Sequence, residues 1–174
     1  MTVRILSADD AHDVTMYREI RLAALLADPD AFASTHEREV GFDEARWRER
    51  VAGFGGRPGV TFVDELPDLG PMPAGTAGVG YTEWDASPML VAMWVRPEAR
   101  GRGVGARLVE AAAAWATAQE ADELMLWVVK TNDSAIALYQ RCGFEPTGKV
   151  DTLPSNPCAD ELEMRRRLPT VGTG

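Results

Sequence analysis

The chain has 174 residues, with 18 Lys+Arg against 27 Asp+Glu, a formal net charge of −9 and a pI near 4.7. That length suits one domain whose core needs no disulfide or metal staples, and 45% hydrophobic with 26% charged residues excludes disorder and collagen-like structure. The acidic balance argues against a nucleic-acid binder that works by neutralising phosphates, and the two cysteines, Cys142 and Cys158, point to a reducing cytoplasm rather than to a disulfide framework or zinc site.

From the N-terminus, residues 2–6 alternate as a short strand would, and no apolar signal-peptide region precedes them. Ser7, with Asp10 three residues on, predicts a helix N-cap. The helix carries Val14, Tyr17, Ile20, Leu22, Leu25 and Leu26 and stops at Asp28-Pro29. A second helix is expected over 43–51 with Trp47 inward, ending at Gly53, Gly55 and Gly56. Strands follow at 60–64 and 75–84, separated by the turn-rich stretch 66–73. The apolar run 89–95 predicts a strand buried on both faces, 103–119 a long helix, and 124–129 a second fully buried strand, too short to span a bilayer. A short helix over 133–141, closed by Gly143, and strands at 144–150 and 161–168 complete the count. The order β-α-α-β-β-β-α-β-α-β-β predicts a single α/β layered domain over residues 1–168 with a disordered tail at 169–174.

The most informative segment runs from Met93 to Ala106. A buried strand ends at Arg96-Pro97 and a helix opens near Gly103 after three alternate glycines, Gly101, Gly103 and Gly105. Glycines there leave backbone N–H groups open at the positive end of a helix, an anion site suited to phosphate or pyrophosphate. Four arginines against one glutamate between Arg96 and Arg107 give a local +3 in an acidic protein, where an anionic cofactor is expected. A tight turn with solvated arginines is the plainer reading. The dinucleotide fingerprint fails because Leu108 stands where its third glycine belongs, and a P-loop fails because Gly148-Lys149 is followed by Val150.

Two segments carry a resemblance to the GCN5-related N-acetyltransferase superfamily. Arg100-Gly101-Arg102-Gly103-Val104-Gly105 is similar to its acetyl-CoA signature, [Gln/Arg]-x-x-Gly-x-[Gly/Ala], and Asn132 to Phe144 resembles its N-x-x-A-x-x-x-Y-x-x-x-G-F segment. The resemblance implies a mixed, mostly antiparallel sheet of about seven strands flanked by about four helices. It implies acetyl-CoA as co-substrate, no metal, no nucleic acid and no membrane; many relatives are dimers, so a homodimer is also in view. His36-Glu37 gives no metalloprotease signal, because the second histidine is missing.

The resemblance also assigns residues. Arg100, Gly101, Arg102, Gly103, Val104 and Gly105 would hold the pyrophosphate. Met93 and Val95 would offer backbone groups to the pantetheine arm, with Trp94 facing the other way; all three also read as plain strand core. Asn132, with Ser134 as a weaker neighbour, would hold the arm, or Asn132 simply caps the helix at Asp133. Tyr139 would protonate the departing thiolate, a phenol being neutral at pH 7, or it fills the core beside Phe144. Glu83 stands as catalytic base and acceptor contact, with Asp85, His36 or water as alternatives and a solvated strand end as the plain reading. Phe32, Ser34 and His36 are acceptor-pocket candidates, while Cys142 reads as a small buried hydrophobe. Together these imply acetyl transfer from acetyl-CoA to an amine, of a small molecule or a protein, by direct transfer in a ternary complex. The alternative is a catalytically silent acyl-CoA-binding or regulatory domain, and a nucleotide-binding module is third.

Overall fold

The computed structural model describes residues 2–53, 57–82 and 86–169. In chain order its elements are β1 (Thr2–Ile5), α1 (Ala11–Ala27), α2 (His36–Glu39), α3 (Glu44–Ala52), β2 (Gly59–Glu65), β3 (Gly75–Gly80), β4 (Met89–Val95), α4 (Val104–Ala118), β5 (Glu123–Val129), α5 (Asp133–Arg141), β6 (Glu145–Thr152) and β7 (Asp160–Arg167). The expected tail lies outside the described residues from Thr170 onward.

Two local expectations are corrected. The first helix is capped by Asp10, whose Oδ1 accepts from His12 N–H at 2.8 Å; Ser7 lies outside the helix and its own N–H donates to Asp13. A carboxylate one residue before the helix reaches the orphan first-turn donors that Ser7 is too far away to serve. The single turn α2 is a fifth α-helix, held by Thr35, which accepts from Arg38 N–H. Four residues are too few to show a helical period.

The strands form one sheet in the order β1-β2-β3-β4-β5-β7-β6. Every neighbouring pair is antiparallel except β4 and β5, which run parallel and are joined by the α4 crossover. The protein is thus a mixed, mostly antiparallel α/β layer structure, as expected.

Period-two alternation sends side chains to two separate cores. Phe62, Val79, Leu124, Leu126 and Val128 pack with Val104, Leu108, Val109 and Ala112 of α4. On the opposite face Val63 and Trp94 pack with Tyr17, Ile20, Ala24 and Leu25 of α1 and with Trp47 and Val51 of α3. Each large side chain fully buried this way contributes about 1.5–3 kcal/mol. Leu26, in phase with the α1 stripe by sequence, is 65% exposed.

Glycine is required at Gly75, where a Cβ would come within 2.8 Å of both the Trp94 carbonyl oxygen and Val104 Cγ1. That close approach lets α4 lie directly on β3.

Candidate active site

The central feature is a fault in the sheet. Between the pairs Thr76–Trp94 and Gly78–Val91, β4 holds one residue more than β3, and Ala92 takes a left-handed φ of 51°. Such a bulge bends its strand and increases the local twist. Beside it, the parallel partners β4 and β5 register at one position, Met89 with Met125, where Met125 N–H donates to Pro88. Beyond that position lies a cavity of about 590 Å³, within the range of small-molecule sites. Its walls include the β4 residues Leu90 to Val95, Trp127 and Val128 of β5, the glycine turn, α5, and Asp28, Ala31 and Phe32 after α1. Because Trp94 belongs to the α1-side core and Met93 and Val95 to the α4-side core, the cavity draws walls from both faces of the sheet.

The glycine turn opens α4. Gly101 and Gly103 sit at φ 75° and 77°, conformations that a side chain would strain, and a Cβ on Gly101 would meet open space. Asp10, Thr35, Asp43 and Asn132 cap the other four described α-helices through their side chains, whereas Gly103 gives α4 no side-chain cap. The first-turn N–H groups of α4 are therefore left for an anion. Gly105 has another role: a Cβ there would lie 2.8 Å from Leu138 Cδ2, so this glycine lets α4 approach α5.

The arginines behave differently from the sequence expectation. Arg100 pairs with Asp28 at 2.6 Å, Arg102 with Asp68 at 2.9 Å, Arg107 with buried Asp64 at 2.6 Å, and Arg96 lies 3.6 Å from Glu98. Asp28, Asp64 and Asp68 come from 72, 43 and 34 residues away along the chain, and they cancel the local excess of three positive charges. The attraction for an anion thus rests on backbone dipoles more than on net charge. Arg102 also lies off the cavity wall, while Arg100, Gly101, Gly103, Val104 and Gly105 line it.

Tyr139 lines the cavity from α5, is 7% exposed, and stacks edge-on against Phe144 at 5.8 Å between ring centres. Burial, with a smaller contribution from neighbouring Cys142, pushes its phenol above the ordinary value, so the group is a proton donor throughout the neutral range. Asn132 serves the cap: its Oδ1 accepts from Ala135 N–H at 3.2 Å and Ser134 Oγ at 3.1 Å. The Asn132 side-chain NH₂ donates no hydrogen bond within the described residues, and both Asn132 and Ser134 line the cavity. Burial, reinforced by Glu110, raises the Cys142 thiol, which suits packing rather than nucleophilic chemistry.

On the acceptor side the expected residues separate. Phe32 lines the cavity, its ring 4.7 Å beneath the Arg21 guanidinium. Ser34 and His36 are not on the cavity wall; Ser34 stands beside buried Glu39, which Arg21 grips through two hydrogen bonds of 2.9 and 2.8 Å. The capped turn α2 carries His36 away from the opening. Glu83 and Asp85 lie outside the described residues. Sequence reasoning passed over Asp28, Trp127, Leu138 and Arg141, all on the wall. Leu138 and Arg141 had a local signal, because both lie within the second motif.

One cavity thus gathers a sheet split beside a strand bulge, an uncapped helix N-terminus and a buried phenol. The chain belongs to the acetyltransferase (GNAT) family, whose family model matches residues 23–144. It is 38% identical over 71 residues to the streptothricin acetyltransferase of Streptomyces lavendulae, a stretch covering 41% of this chain and 38% of that protein. The crystal structure of nourseothricin acetyltransferase is similar at 32% identity and a TM-score of 0.58, over 64% of this chain and 66% of that one. A GCN5-related N-acetyltransferase from Kribbella flavida superposes over 96% of this chain and 97% of its own, with 22% identity and a TM-score of 0.68. A Bacillus anthracis structure solved with acetyl coenzyme A matches 66% of this chain and 65% of its own, at 22% identity and a TM-score of 0.56. The last two show a shared fold.

Proposed function

We propose that the protein transfers an acetyl group from acetyl-CoA to an amine acceptor, directly and within a ternary complex. The observation that carries this reading is the cavity itself, which joins the uncapped N-terminus of α4 and the Tyr139 phenol in the gap between β4 and β5. In this reading the open N–H groups of Gly101 to Gly105 hold the pyrophosphate, and the free amide NH₂ of Asn132 and the edge of β4 hold the pantetheine arm. Arg141, on the cavity wall and outside every salt bridge among the described residues, faces a remaining phosphate.

The amine lone pair attacks the thioester carbonyl carbon. A C–N bond forms as the C–S bond breaks, the leaving sulfur takes the Tyr139 proton, and the proton lost by the amine passes to solvent, which restores the phenol. Donation from a neutral phenol spares the reaction a free thiolate. The names of the two relatives at 32% and 38% identity favour a small-molecule acceptor over a protein amine.

Thermal unfolding with acetyl-CoA, CoA, NAD or ATP at about 1 mM tests the cofactor. A ligand at roughly a hundred times its Kd adds about 2.7 kcal/mol, which raises Tm by about 5–11 °C at this size. A rise with the two CoA species alone, followed by release of CoA thiol with an amine panel that includes streptothricin, is expected. The absence of any rise with either CoA species overturns the reading.

A further inference from the structure

The end of the cavity nearest α1 carries a carboxylate. Asp28 caps α1 at its C-terminus and is the only carboxylate among the described residues on the cavity wall. Its Oδ2 accepts from Trp94 Nε1 at 2.7 Å and from Arg100 Nη2 at 2.6 Å. Its Oδ1 carries no hydrogen bond among the described residues. Trp94 anchors the carboxylate to β4 and Arg100 anchors it to the glycine turn, so two independent elements fix where the free oxygen sits.

Phe32, Trp94 and Trp127 line the same cavity as Asp28, and Trp94 donates to its carboxylate. A carboxylate oxygen in a cavity that also holds indole and phenyl rings suits an organic ammonium, which gains a charge-assisted hydrogen bond and contact with π-faces.

We propose that Asp28 determines acceptor specificity: its Oδ1 accepts an N–H from an ammonium group on the acceptor, alongside Trp94 and Trp127. An amine must be neutral to attack a thioester, so the ammonium held by Asp28 is a second one. The substrate class is therefore an amine that carries a further positive charge. This inference rests on the acetyltransferase reading.

The test uses amines in matched pairs, such as 1,5-diaminopentane against pentylamine and streptothricin-type amines against analogues lacking one ammonium, with wild type and Asp28→Asn. Asparagine keeps the volume and an oxygen for Trp94, and Asp28 is 36% exposed at its side chain, so the variant is expected to fold. Wild type should favour the doubly charged member at least tenfold in kcat/KM. Asp28→Asn should raise KM for that member about tenfold or more, the scale of one lost charged hydrogen bond. Its kcat should stay within about threefold of wild type, and Asp28→Glu should recover part of the loss. An unchanged preference in Asp28→Asn, a wild type with no preference within pairs, or a wild type that binds acetyl-CoA yet acetylates no doubly charged amine overturns this proposal. Should the variant fail to fold, the wild-type preference decides alone. A wild type that binds no acetyl-CoA overturns the acetyltransferase reading as well, which separates the two failures.

Discussion

In the proposed mechanism Tyr139 would have two roles at once. Its ring fills the α4-side core against Phe144, and its hydroxyl is the one polar atom on a side chain otherwise committed to packing. Removing that oxygen alone separates them. Tyr139→Phe keeps the ring, so Tm should move by less than about 2 °C, and acetyl-CoA affinity should be little changed. The kcat for acetyl transfer should fall by about tenfold or more, the scale of general acid catalysis. Steady-state kinetics where chemistry limits the rate would expose the error: an unaltered kcat removes the phenol as acid. Asn132 shows the same economy at the start of α5, its oxygen capping the helix and its amide left for a ligand.

At the scale of the element, α4 illustrates how a local backbone requirement becomes a binding surface. Gly103 occupies a left-handed conformation, and a Cβ on it would lie 3.1 Å from Arg107 Nη1. Gly103→Asp would place a carboxylate on the open N–H groups, satisfying the helix in the manner of the other caps while repelling a pyrophosphate. The expected outcome is a folded protein by circular dichroism in which acetyl-CoA no longer raises Tm. A wild-type thermal response in that variant would remove the glycine turn as the phosphate site. The bulge at Ala92 works at the same scale, because one additional residue in β4 separates it from a strand it would otherwise pair with.

Across the whole molecule, the two cores are held differently. Among the described residues, the α4 side meets a fully buried carboxylate only where Asp64 pairs with the part-exposed Arg107 of α4, whereas the α1 side encloses an ion pair: Glu39, fully buried, takes two hydrogen bonds from Arg21 and one of 3.2 Å from Arg50. Burial pushes the Glu39 carboxyl up, but Arg21 and Arg50 together hold it below its ordinary value. A depressed folded-state pKa gives stability that is complete above the unfolded-state value of about 4.3 and is lost as pH falls through the folded-state value. Glu39→Gln strands the buried Arg21 guanidinium and loosens the part-buried Arg50, and should cost about 3–5 kcal/mol. Its Tm should also decline less steeply than wild type on titration from pH 5 towards pH 3. Parallel acid limbs in the two proteins would show that Glu39 does not drive acid unfolding. Because Arg21 also lies over Phe32, the same network sets one wall of the cavity.

What the sequence by itself determined are the features written in consecutive residues. Helical and strand periods placed α1, α3, α4 and α5 and all seven strands to within a few residues, and two motifs placed the glycine turn, Asn132 and Tyr139 on one site. The elements follow from spacing along the chain, which fixes which side chains share a face, and the shared site follows from the family resemblance that the two motifs carry. Only the tertiary structure decided the rest. Whether four arginines in one short window are an anion trap depended on Asp28, Asp64 and Asp68, brought in from distant segments to neutralise them. The split between β4 and β5 depended on a register shift against β3, which alternation within β4 does not record. Asp28, read along the chain as a helix stop, became a cavity carboxylate through contacts with Trp94 and Arg100. Charge and hydrogen bonding act through space, and a linear window contains only the partners that are also neighbours in the chain.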